Sequence, residues 1–173
     1  MKKGKILGKL LAAALVATCL VACGDDTTQN NTSSNASSNA QSEALLPTQI
    51  YENIKSGYEL PDMYEADADW LMNYYGIDAS VLDDYVFAEG DEVHADRVII
   101  LKVKDEADIP PVQEKLEALL GQLQSPEMLS YLPEQADMIK EGSVKKQGDV
   151  LYLVISPDAD GIEKVIVDGL SGR

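Results

Sequence analysis

Six consecutive apolar residues, Val150 to Ile155 in GDVLYLVIS, constrain the fold more than any other stretch of the chain. Neighbours along a strand point to opposite faces, so Val150, Tyr152 and Val154 line one side and Leu151, Leu153 and Ile155 the other. A strand that is apolar on both sides belongs in the middle of a sheet. Gly148 and Asp149 precede it and follow SVKKQ, a Gly-Asp signal for a two-residue hairpin. DRVIILKVK is a second strand start, with Ile99, Leu101 and Val103 on one face and Val98 and Ile100 on the other. Tyr85 to Glu89 reads as a short strand before it.

Helical spacing fills the rest. PTQIYENIKSG begins with Pro47, where a helix tolerates proline, aligns Ile50 with Ile54 and stops at Gly57. A second helix is predicted from about Glu65 to Tyr75, with Trp70, Leu71 and Tyr74 on one stripe and Gly76 as its stop, and Asp78 caps a single turn after it. Asp108 is a cap for a helix that confines Pro110 and Pro111 to its first turn and carries Val112, Leu116, Leu119, Leu120 and Leu123 on one face. Ser125 restarts a helix that Pro133 must kink or split. Ser156 and Pro157 are read as cap and first residue of a last helix with Ile162, Val165 and Ile166 buried. Two hairpins separated by a helical crossover imply an α+β domain: a mostly antiparallel four-stranded sheet with helices packed on one face.

Upstream of this domain the chemistry is different. Lys2, Lys3, Lys5 and Lys9 precede an uncharged apolar run, Leu10 to Ala22, which reads as a secretory leader over residues 1–22. Asp25 and Asp26 end the run short of the roughly 20 residues that a spanning helix needs. Leu20, Val21, Ala22 and Cys23 are similar to the lipobox of bacterial lipoproteins, in which the cysteine takes a diacylglyceryl thioether and becomes the first residue. Cys19 would leave with the leader, and the product would hold no disulfide.

Residues 23–44 combine Cys23 with TTQNNTSSNASSNAQSE-type composition, too polar to offset the entropy of ordering, and are expected to be a disordered tether with an average reach of about 25 Å. Residues 45–173 are left as a single domain. The whole chain carries a formal net charge of −16. Without the four leader lysines it holds ten basic against thirty acidic residues. Such a surface repels nucleic acid and anionic lipid heads, so partners are expected to be neutral, cationic or metal ions.

The elements YGID at Tyr75–Asp78, KVKDEAD at Lys102–Asp108, SYLPEQ at Ser130–Gln135 and GDVLYLVISPDAD at Gly148–Asp160 resemble a family of Gram-positive lipoproteins known only as a domain of unknown function, numbered four-three-five-eight. The likeness spans most of residues 50–168. It implies surface exposure on the extracytoplasmic side of the membrane and one small α+β domain, and it transfers no catalytic residues.

No reaction is written in the remaining residues. His94 is the chain's one histidine and reads as a solvated loop residue; no serine or free thiol stands in a nucleophile context, and the chain lacks the nitrogen and sulfur ligands of a zinc site. No cofactor is called for. SPDADG is similar to part of a calcium loop, but in that register position twelve falls on Val167 where a bidentate glutamate is needed. Glu65, Asp67 and Asp69, or Asp83 and Asp84 with Asp91 and Glu92, are candidate carboxylate groupings; a calcium-responsive surface protein and a carboxylate-based wall-glycan hydrolase are the readings they would support.

The aromatic distribution points elsewhere. Eight of the ten aromatic residues fall between Tyr51 and Phe87. Tyrosine and tryptophan combine a flat apolar face with a polar tip, which suits sugar rings and protein hot spots. Tyr64, Trp70, Tyr74 and Tyr75 are therefore the candidate ligand-binding residues of a non-enzymatic binding or assembly module, tethered to the membrane through Cys23 and facing a cell-wall polymer or a membrane-protein partner.

Overall fold

The strand Val150–Ile155 is the hinge of the architecture: all six of its residues are buried, and both faces of the sheet it belongs to are covered. A computed structural model describes residues 43–173. The leader, Cys23 and all but the end of the expected tether lie outside the described residues.

Five strands form one sheet in the order β1-β2-β3-β5-β4: β1 Tyr64–Glu65, β2 Leu82–Glu89, β3 Arg97–Val103, β4 Lys145–Gln147 and β5 Val150–Ile155. Every pairing is antiparallel. The expected α+β class and antiparallel sheet are present. Gln147 pairs with Val150 across the two-residue Gly148-Asp149 turn, and Gly148 takes φ 62°, a left-handed value that costs other residues steric strain.

Six helices surround the sheet: α1 Pro47–Gly57, α2 Ala68–Trp70, α3 Ile109–Leu123, α4 Pro126–Tyr131, α5 Ala136–Glu141 and α6 Ala159–Leu170. They occupy both faces, not one. Ile99, Leu101, Leu151 and Leu153 meet Leu116 of α3 and Ile139 of α5 on one side. Val98, Ile100, Tyr152 and Val154 meet Ile50 and Ile54 of α1 with Ile162 and Ile166 of α6 on the other. The reason is the one already visible in β5: a doubly apolar strand leaves two faces to cover, at about 25 cal/mol per Å² of apolar area.

Local departures have local causes. Glu65 leaves the predicted second helix for β1, because Tyr64 and Glu65 pair with Glu89 and Ala88 and add a fifth strand. Asp67 then caps α2, accepting from the Trp70 N–H at 2.8 Å. The next residues, Leu71–Tyr75, continue as a π-helix that Gly76 closes at φ 64°. Strand β2 begins at Leu82, earlier than the predicted Tyr85. Pro133 does split its helix, with a 3-10 turn at Pro133–Gln135 between α4 and α5. Helix α6 starts at Ala159 after Asp158, not at Pro157; Ser156 instead accepts from the Asp158 N–H at 3.2 Å and shapes the turn before it. Asp108 makes no side-chain cap for α3. Among the described residues, no helix is long and apolar enough to cross a membrane.

Candidate functional site

The site is assembled where β1, α2 and the π-turn meet the end of the β2–β3 hairpin. Tyr64 stands on β1, Trp70 closes α2, and Tyr74 follows four residues later. Trp70 and Tyr74 stack with ring centroids 4.0 Å apart and planes 26° from parallel. Tyr64 tilts against the indole at 4.9 Å and 58°. Rings this close fill the space between themselves, so they form a continuous platform and not a cage. Its ends are open: Tyr64 is 47% and Tyr74 66% exposed.

The π-turn explains the arrangement. With more than the usual residues in one turn, Gly76 N–H reaches back five residues to Leu71 C=O, and Ile77 N–H also donates to that carbonyl at 3.1 Å. Leu71 then points into the core, fully buried, while Tyr74 turns outward onto Trp70. The predicted stripe of Trp70, Leu71 and Tyr74 is therefore divided. Tyr75, grouped with the surface rings by sequence, faces inward instead and packs on Phe87 at 4.5 Å.

Beneath the platform lies a buried polar centre. Glu89 is 7% exposed. Its Oε1 accepts from Trp70 Nε1 at 3.0 Å, and its Oε2 accepts from the Tyr75 hydroxyl. Arg97, directly opposite Glu89 in the β2–β3 register, brings a buried Nε to 3.5 Å from the same Oε2. Its Nη1 donates to the Asp96 carbonyl at 2.7 Å. The carboxylate thus sets the indole's orientation and leaves the ring pre-positioned.

Tyr75 carries the electrostatic signature of this centre. Burial first, then the hydrogen bond to Glu89 and the repulsion of its charge, raise the phenol's pKa well above the ordinary value of 10.0. A pKa higher in the fold than in the unfolded chain stabilises below the unfolded value, and that contribution is lost as pH rises through the folded one. Between wild type and Tyr75→Phe, the stability difference should accordingly shrink as pH is raised above about 10, measured by urea melts at stepped alkaline pH. A difference independent of pH would mean that the hydroxyl does not hold its proton in this way.

The acidic groupings are dispersed. Asp84 accepts from Thr48 N–H at 2.8 Å and Thr48 Oγ1 at 3.1 Å, tying the start of α1 to β2. Asp83 pairs with Lys102 at 3.3 Å. Asp91 and Glu92 lie beyond the other end of the eight-residue β2, about 20 Å along the strand from Asp83. Asp91 holds His94 Nδ1 at 2.7 Å, and the Val93 N–H together with that ring keeps its pKa below the usual carboxylate range. Glu65 pairs with Lys55 at 3.4 Å, and Asp67 is the α2 cap. Among the described residues no group of three or more His, Cys, Asp and Glu side chains is placed to hold a metal ion. On the opposite side of β1 from the platform, Tyr51, Lys55, Tyr58, Asp62, Met63 and Glu65 line an open groove of about 590 Å³.

Glu89 and Arg97 were not among the residues singled out by sequence. The signal that could have found them is a pair of opposite charges on either side of the loop of an apolar hairpin, the last residue of YVFAE and the first of RVIIL, in a cross-strand position.

The family described as Domain of unknown function (DUF4358) matches residues 56–156, more than half of the 173-residue chain. The chain belongs to that family. No curated protein and no solved structure matches it.

Proposed function

We propose that this chain is a non-enzymatic binding or assembly module, held on the extracytoplasmic face of the membrane by lipid on Cys23, whose platform of Tyr64, Trp70 and Tyr74 receives a cell-wall polymer or a membrane-protein partner. One observation carries the reading: three aromatic rings pack in a row, Tyr64 on Trp70 and Trp70 on Tyr74, and both ends of the row stay open to solvent, whereas Tyr131, the other widely exposed aromatic residue, has no ring contact among the described residues. Contiguous exposed apolar surface marks an interaction site, and rings with few rotamers lose little entropy on binding. The hydrogen bond from Trp70 to Glu89 supports the same reading, since it holds the central ring still before any ligand arrives. The calcium-responsive and carboxylate-hydrolase readings have no comparable observation behind them.

A crosslinking pulldown from intact cells tests this. Tyr74→Ala should abolish recovery of the partner obtained with wild type while costing no more than about 1.5 kcal/mol of stability, the scale of one aromatic pair at the surface. Undiminished recovery with the variant would contradict the proposal.

A further inference from the structure

The identity of the occupant follows from charge around the platform. From Ser56 to Asp96 the chain has twelve acidic residues and neither a lysine nor an arginine. The cations that bracket this stretch are already engaged: Lys55 with Glu52 at 2.7 Å and Glu65 at 3.4 Å, and Arg97 with the buried Glu89. Among the described residues, no ion pair involves Glu59, Asp62, Asp67 or Asp69, the acids that flank Tyr64 and Trp70 in sequence. The platform therefore sits in a stretch of sequence of one sign; from elsewhere in the chain, Lys115 of α3 reaches Gly76 at the end of the π-turn, two residues beyond Tyr74. One face of Tyr74 is covered by the indole at 4.0 Å, yet the residue as a whole is 66% exposed. An aromatic face in a negative field attracts a cation through both the ring quadrupole and the surrounding carboxylates, and a planar guanidinium can stack on it as well.

Resting on the reading of these rings as a binding surface, we infer that the occupant is a cationic protein segment, with an arginine or lysine side chain laid on the open face of Tyr74. A polyanionic polymer is repelled by the same field, and a neutral glycan would gain nothing from its sign. Association should accordingly be faster and tighter at low salt.

The test is calorimetric titration of the full-length protein with the peptide acetyl-Gly-Arg-Gly-Arg-Gly-amide, with the same peptide carrying uncharged citrulline in place of arginine, and with an N-acetylglucosamine oligomer. Trp70, the chain's one tryptophan, reports the location by fluorescence. The arginine peptide should bind with a change in Trp70 emission and the citrulline peptide about tenfold more weakly, the scale of a partly desolvated cation–π contact. Tyr74→Ala should weaken the arginine peptide by a similar factor, whereas Asp137→Asn, which removes a negative charge on α5, should not. Equal affinity for the two peptides, or arginine binding unchanged by Tyr74→Ala, would overturn the inference. Saturable, Tyr74-dependent binding of the oligosaccharide alone would also overturn it while leaving the binding surface intact; failure of the surface itself is read separately, as partner recovery that ignores Tyr74.

Discussion

Replacing Glu89 with alanine is expected to destabilise the protein by about 3–5 kcal/mol, the cost of removing one member of a buried charge pair. Glu89 and Arg97 have side chains 10% and 12% exposed, so little solvent is available to take over. The substitution would leave the buried Arg97 Nε facing an empty volume and strip the Trp70 indole and the Tyr75 hydroxyl of their acceptor. Since domains of this size are stable by only about 5–15 kcal/mol, a loss of that scale takes a large share of the total. Urea unfolding followed by circular dichroism measures it. Replacing both charges together, Glu89→Leu with Arg97→Met, should recover much of the loss, because an apolar pair carries no desolvation penalty. A single-variant loss below about 1 kcal/mol would show that the pair is screened and does not organise the site.

The other large effect concerns attachment. Cys23→Ser is expected to move the protein from the membrane fraction to the soluble fraction almost completely. A serine cannot form the thioether, and each buried acyl methylene is worth about 0.8 kcal/mol, so that two chains anchor firmly where none anchors at all. No helix among the described residues is available to span the bilayer in place of the lipid. Fractionation followed by mass spectrometry of the N-terminal peptide gives the answer. A variant that stays with the membrane, or a wild-type peptide of unmodified mass, would remove the anchor from the proposal.

How legible the fold was depended on how far each signal was local. The strand β5, the Gly148-Asp149 turn and α1 depend on their own residues, and each stands where periodicity placed it. The two-residue β1 has no pattern to read; it exists because Glu89 and Ala88 offer a free edge. Coverage of both sheet faces was implied by the double apolarity of β5, yet expecting one helical layer left half of that surface without a partner. Of the candidate site, Tyr64, Trp70 and Tyr74 were readable as an aromatic cluster. Their division from Tyr75 was not, because an ordinary helix and a π-turn assign those side chains to different directions and composition does not distinguish the two. The Glu89–Arg97 centre required the hairpin register, which links residues eight positions apart only after the strands have paired.

Site-specific photocrosslinking in intact cells tests the binding surface most directly. With a photoreactive phenylalanine analogue at position 74, a discrete covalent adduct should form on illumination; with the same analogue at position 131, where an equally open tyrosine ends α4 and touches none of the three platform rings, none should form. An adduct from position 131 but not from position 74, or the same adducts from both, would contradict the assignment of the Tyr64, Trp70 and Tyr74 surface as the place where this protein meets its partner.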